Sequence, residues 1–230
     1  MADAWVELLN RLSDADVSPR RQEMRRLAAA TREVIERLVA TEAPVEALRR
    51  AADLLEAASS ELSAWPQGRR YEGFAETGLA GGTSAFPPDQ SDFFEHSPVV
   101  GAANPLAPPL KLEVRDGVVH ATARFGAAYE GPPSSVHGGY VAAAFDEVLG
   151  MAQSLGGKPG MTGTLTIRYR RPTPLHTDLR FEGRLDGESG RKLFTSARLW
   201  DGDALCAEAE GLFISVDFAK IAEMMSRRDK

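Results

Sequence analysis

The stretch 131–163, GPPSSVHGGYVAAAFDEVLGMAQSLGGKPGMTG, constrains this chain more than any other. It reads as a glycine-bearing turn, one long apolar helix, and a second glycine-rich turn ahead of a strand. Tyr140, Val141, Ala142, Ala143, Ala144, Phe145, Val148, Leu149, Met151 and Ala152 leave the helix almost no polar face. A helix that is apolar nearly all round must be wrapped by protein. Asp146 and Glu147 interrupt that run. An unpaired buried carboxylate costs several kcal/mol, so each must reach the surface, find a partner or serve chemistry. Pattern alone favours the solvent boundary for Glu147 more than for Asp146.

What must wrap the helix is β-structure. Two strands, 111–115 and 118–125, flank Asp116-Gly117, a two-residue hairpin signal. After the helix come strands at 163–171, 179–185, 192–200 and 204–216, with Asp201-Gly202 marking another hairpin. Leu165, Ile167 and Tyr169 alternate with Thr164, Thr166 and Arg168, and Leu179, Phe181 and Leu185 with Arg180, Glu182 and Arg184. Successive hairpins imply an antiparallel sheet with the helix on its apolar face. The expected class is α+β.

The chain before residue 110 reads as an addition. Residues 1–64 form an N-terminal helical extension: a Trp5, Leu8, Leu9, Leu12 stripe, a helix capped by Ser18-Pro19 and carrying Leu27, Val34, Ile35 and Leu38, and a third helix with Val45, Leu48, Leu54, Leu55 and Leu62. This pattern suits a helical hairpin packed on the main domain or on a partner subunit. Residues 65–109 are rich in Gly and Pro without a period, yet hold Trp65, Tyr71, Phe74, Phe86, Phe93 and Phe94. Free linkers seldom carry so many aromatics, so this irregular segment is expected to lie on the core. The main domain spans 110–217, and a short helix at 218–227 lies within the closing tail 218–230.

Composition removes whole classes of function. Of 230 residues, 43% are hydrophobic and 26% charged, and the net charge is −6. That balance disfavours nucleic acid as a partner. No apolar run reaches the length of a membrane span, so no membrane insertion is expected. One cysteine, Cys206, excludes an internal disulfide and fits a reducing compartment. With no signal-peptide pattern, the expected location is cytoplasmic. Four histidines and Cys206 show no metal-ligand spacing, and no metal site is expected.

His137-Gly138-Gly139 opens the apolar helix. The first N–H groups of a helix are unpaired and carry the positive end of its dipole. They form a hole for a phosphate or a developing oxyanion. The alternative is a tight turn in which His137 bonds to backbone. Gly138 and Asp146 lie eight residues apart, about 12 Å along the axis. Both cannot touch one reacting carbon from one helix. If both act, one chain supplies the amide and another the carboxylate, across a dimer with antiparallel central helices.

The blocks EGPPSSVHGG, Asp146, Met161-Thr162, RYRRPTPL and Gly190-Arg191-Lys192 fall in register across residues 92–217. In this the chain resembles the hotdog-fold acyl-CoA thioesterases, of the phenylacetate-pathway type and of the type of thioesterase superfamily members 4 and 5. The first 64 residues lie outside that family core. The resemblance implies a hotdog fold, with an antiparallel sheet wrapped round one long central helix, and a hydrolase acting on acyl-CoA in fatty acid metabolism. It also implies roles. The Gly138 amide, with Gly139 nearby, polarises the thioester carbonyl. Asp146 of the facing subunit acts as general base or nucleophile, Thr162 places the water, and His137 supports the loop. Arg168, Arg170, Arg171, Gly190, Arg191 and Lys192 are candidates to meet coenzyme A, with Lys158 a weaker one. Coenzyme A is part of the substrate, and no cofactor is implied. The implied assembly is a homodimer, with a homotetramer as the further option. Strict alternation puts Thr162 on the face opposite Leu165 unless Gly160 or Gly163 introduces a bulge.

Three rival readings fit the sequence less well. A serine hydrolase lacks its G-x-S-x-G elbow here, and Cys206 sits in a strand as core. A hotdog enoyl-CoA hydratase is faintly suggested by Asn104-Pro105-Leu106, without the histidine and preceding Gly-Asp. A non-catalytic acyl-CoA-binding or assembly protein would have no need for Asp146 in an apolar helix.

Overall fold

The structure is a computed structural model that describes residues 18–66, 95–108, 110–158 and 160–216. The Trp5–Leu12 stripe, the aromatics between Tyr71 and Phe94, and the 218–227 helix lie outside the described residues.

Helix α1 is Pro19–Val39 and α2 is Val45–Ser63. The strands are β1 Lys111–Arg115, β2 Val118–Ala123, β3 Gly160–Tyr169, β4 Leu179–Ser189, β5 Lys192–Asp201 and β6 Ala204–Ser215. Helix α3, Gly138–Ser154, joins β2 to β3 after a short 3₁₀ turn at Ala127–Tyr129. The six strands form one antiparallel sheet in the order β1-β2-β4-β5-β6-β3. Helix α3 lies on one face and touches β2 through β6. This is the hotdog arrangement. No described helix is long and apolar enough to cross a membrane.

The wrapping follows from the helix composition. Val141, Phe145, Val148, Leu149 and Met151 are buried in one cluster with Val119, Phe181, Leu193, Leu199 and Phe213. Each such side chain contributes roughly 1.5–3 kcal/mol on burial, so packing rather than helix propensity holds α3 in place. The approach is close at Gly183 of β4, where an added Cβ would stand 2.6 Å from Val148 Cγ1.

The hairpins form where the turn residues indicate, with local corrections. Asp116 and Gly117 both take positive φ, as a two-residue turn requires. Asp201 instead ends β5 opposite Ala204, and Gly202-Asp203 makes the turn. β2 stops at Ala123 rather than continuing to Phe125. β4 runs on to Ser189 because a register shift between Leu185 and Gly187 absorbs Asp186. β3 begins at Gly160, not 163, because Gly160, Met161 and Thr162 pair with Ser215, Ile214 and Phe213.

Among the described residues, helix α1 packs on the core and α2 does not. Every residue of α2 is at least partly open, with Val45, Leu48, Leu54, Leu55 and Leu62 exposed. Of the irregular 65–109 segment, the described residues Glu95, Ser97 and Ala107 are buried.

Candidate active site at the β3 edge

The site grows from two parallel facts: α3 and β3 run antiparallel side by side, and β3 is an edge strand. Tyr169 at the end of β3 reaches the start of α3, where its hydroxyl donates to Gly138 O at 2.8 Å. Thr162 near the start of β3 reaches mid-helix, where its hydroxyl donates to Asp146 Oδ1 at 2.8 Å. Each end of the strand therefore holds one sequence-predicted site residue.

At the helix start, His137 is the N-cap, and its Nδ1 accepts the Gly139 N–H at 3.0 Å. The Gly138–Gly139 peptide is thus pinned on both sides, by His137 on its N–H and by Tyr169 on its C=O. The Gly138 N–H, one position earlier, meets no acceptor among the described residues. His137 serves the turn and Gly139 is already engaged, so among the described residues Gly138 offers the free donor at the positive end of α3.

At mid-helix, Asp146 is half-buried, with Oδ1 held by Thr162 and no described donor on Oδ2. Thr162 reaches it because of a bulge. β3 pairs Thr162 with Phe213 and Thr164 with Leu212, skipping Gly163. Phe213 points into the core at 2% exposure, so the extra residue turns Thr162 to the helix side as well. The bulge at Gly163 removes the conflict with strict alternation.

Two site residues escaped the sequence reading. Tyr169 appeared there only as one member of an alternating strand, 31 residues from the glycine it holds. Pattern favours the solvent boundary for Glu147, but Ser97 covers it, with Ser97 Oγ 3.4 Å from Glu147 Oε1. Burial, and then the adjacent Asp146 charge, push the Glu147 carboxyl up to about 7. No local pattern foretold this, because the covering turn lies 50 residues upstream.

The basic candidates divide between the two ends of β3. Arg168 faces outward opposite Glu208, and Arg170 is paired with Glu208 at 2.6 Å. Arg171 follows them and is exposed. At the other end, Gly190-Arg191 forms the β4–β5 turn, Arg191 donates to Ser215 O at 3.1 Å, and exposed Lys192 begins β5 opposite Ile214. Lys158 is engaged by Glu188. Asn104, the hydratase-like residue, is bound up in its own turn, with Nδ2 donating to His96 O and Oδ1 accepting from Leu106 N–H. Cys206 is buried in β6.

The model of the family described as "Thioesterase superfamily" matches residues 134–207, from the turn before α3 into β6. A crystal structure of protein RHA08564, a thioesterase superfamily protein, superposes with a TM-score of 0.71 at 35% identity, covering 83% of this chain and 94% of that one. The chain belongs to the thioesterase superfamily. Because the superposition takes in 83% of the chain, the likeness extends beyond the 134–207 block. Among curated relatives, bovine acyl-coenzyme A thioesterase THEM4 is 41% identical over 90 residues, 38% of this chain and 37% of that protein. Human acyl-coenzyme A thioesterase THEM5 is 31% identical over 93 residues, 40% of this chain and 38% of that protein. The chain spans less than half the length of these relatives.

Proposed function

We propose that the chain hydrolyses acyl-CoA thioesters to a free acid and coenzyme A, at a site shared between two copies. The observation that carries this reading is the pair of half-sites at opposite ends of β3: a free Gly138 N–H and a Thr162-held Asp146. The names of the THEM4 and THEM5 relatives support the thioester as substrate.

The sheet supplies the means of joining the halves. β3 is a ten-residue edge strand whose outer side pairs with nothing among the described residues. Such an edge is a template for a second strand. Antiparallel pairing of β3 with its copy, with the two-fold axis between Leu165 and Thr166, sets Tyr169 of one chain opposite the partner's Thr162. Gly138 then faces the partner's Asp146, which one helix cannot achieve. The same operation brings Arg170 and Arg171 toward the partner's Lys192, gathering the basic candidates for the coenzyme A phosphates.

In this site the thioester carbonyl oxygen accepts the Gly138 N–H. The partner's Asp146 takes a proton from water as the water oxygen bonds to the carbonyl carbon. The negative charge moves onto the carbonyl oxygen, where a preorganised donor is worth about 3 kcal/mol. Collapse re-forms the C=O and breaks the C–S bond, and the proton on Asp146 passes to the leaving thiolate. A positioned base adds roughly 10²–10⁴-fold. The test is thiol release from a panel of acyl-CoAs, aliphatic by chain length plus aryl, by wild type and Asp146→Asn. Turnover of at least one member, lost on Asp146→Asn with acyl-CoA binding retained, is the expected result. No thiol release from any member, or near-wild-type turnover by the variant, removes the reading.

A further inference from the structure

The N-terminal helix lies outside residues 134–207, which the family model matches, yet it is bonded to the turn that builds the oxyanion end. Arg25, Arg32 and Glu36 fall on one face of α1, seven and four residues apart. Arg25 holds buried Glu95 through two bonds, at 2.6 and 3.0 Å. Arg32 donates to Asn104 O at 2.7 Å and Ala102 O at 3.1 Å. These two dock the helix on the 95–104 segment. Glu36 does something different. Its Oε1 accepts the Ala127 N–H at 2.7 Å and its Oε2 the Ala128 N–H at 3.1 Å. Successive N–H groups in a turn make an anion-binding concavity, and here the anion is a side chain of the chain's own N-terminal helix.

Two features show that the seat is built for this carboxylate. The 3₁₀ turn has no capping side chain of its own, so Glu36 satisfies donors that would otherwise be orphaned. The residue before the turn is Gly126, and an added Cβ there would overlap the Glu36 carboxylate. His176 Nδ1 stands 4.0 Å from Glu36 Oε1 at the rim.

From this turn the contacts lead directly to the site. The Tyr129 C=O accepts the His137 N–H at 2.8 Å. The Tyr129 ring packs edge-on against Tyr140 of α3, with centroids 4.8 Å apart, and against Phe125 at 5.6 Å. His137 in turn caps Gly139 and precedes the free Gly138 N–H. We propose that Glu36 is a positioning residue for the hydrolysis: by clamping the 127–129 turn it fixes the His137–Gly138 peptide, and with it the oxyanion donor. This rests on the thioesterase reading above. Misplacing a reacting group by about 1 Å can cost on the order of 10²-fold in rate, so a modest loosening of the turn is expected to show as lost kcat.

The test uses the full chain with Glu36→Ala, and Arg32→Ala as a second variant that weakens α1 docking away from the turn. The expected result for Glu36→Ala is a fall in kcat of about tenfold with KM little changed, and recovery when formate, but not chloride at equal ionic strength, refills the vacated seat. Arg32→Ala is expected to lower Tm with kcat near wild type. Backbone amide exchange supplies a readout that needs no turnover: the His137 N–H should exchange faster in Glu36→Ala, while Leu193 and Phe213 in the core strands are unchanged. Equal kcat losses in both variants without formate rescue, or unchanged exchange at His137, would overturn the proposal. If wild type hydrolyses no thioester, the functional reading fails by itself, and the exchange experiment still decides whether Glu36 holds the turn.

Discussion

Gly138 occupies the first position of α3, which allows the oxyanion donor to be deleted with little else disturbed. Proline is favoured at that position, because the N–H it lacks has no intrahelical partner. The residue before a proline must be extended, and His137 already is, at φ −59° and ψ 130°. A Cβ at Gly138 would lie 3.4 Å from the Tyr169 hydroxyl, an ordinary contact. Gly138→Pro therefore removes one N–H while preserving the helix, the His137 cap and the Tyr169 bond. Losing one such donor costs about 10²–10³ in kcat, or roughly 2.7–4 kcal/mol of transition-state stabilisation. Stability should move the other way, since proline in a compatible conformation stabilises by about 0.4–1 kcal/mol. The assay is continuous detection of released thiol, with thermal unfolding run in parallel. A variant at least as stable as wild type with kcat reduced a hundredfold or more supports the assignment. A folded Gly138→Pro chain with kcat within about threefold of wild type refutes the reasoning.

The site yields further expectations. Thr162→Val removes the 2.8 Å bond to Asp146; a bond to a charged group contributes about 1.5–3 kcal/mol, so kcat should fall about tenfold or more in steady-state kinetics. Glu147 has its carboxyl raised from 4.5 to about 7 in the folded chain, so the native state binds the extra proton between those values. Its contribution to stability is full below about 4.5 and is lost as pH rises through 7, with an upper bound of about 3–4 kcal/mol that solvent screening reduces. Denaturant unfolding across that window should show this downward trend in wild type relative to Glu147→Gln; parallel pH curves for the two would refute it. Gly183→Ala pushes a Cβ toward Val148 Cγ1, 2.6 Å away, and should destabilise by about 1–3 kcal/mol, read as a lower denaturant midpoint.

The sheet and its helix were legible in the sequence because their signals are local. The apolar run of α3, the alternation of β4 and the Asp116-Gly117 turn each carry a period or a turn chemistry. Strand ends were less so: β4 was expected to stop at Leu185, yet a shift at Asp186 carries it on to Ser189. Gly138 and Asp146 could be singled out because an unpaired donor and a carboxylate stand out in an apolar helix. Tyr169, Glu147 and Glu36 could not. Each acquires its place through a contact 31 to 91 residues away in sequence, and no period encodes such a contact. The amphipathic stripe of α2 was expected to pack on the main domain or on a partner subunit. Within one chain the described residues leave that stripe exposed.

The central claim is that one working site needs Gly138 from one chain and Asp146 from another. Mixing inactive chains tests it most directly. Gly138→Pro and Asp146→Asn chains are unfolded together in equal amounts, refolded, and assayed for thiol release. In a mixed two-fold dimer, one site combines the intact Gly138 of one chain with the intact Asp146 of the other, and the second site carries both defects. Random pairing then predicts recovery of about a quarter of wild-type activity from two inactive parents. Activity that stays at the level of the parents would place both groups within one chain and contradict the account.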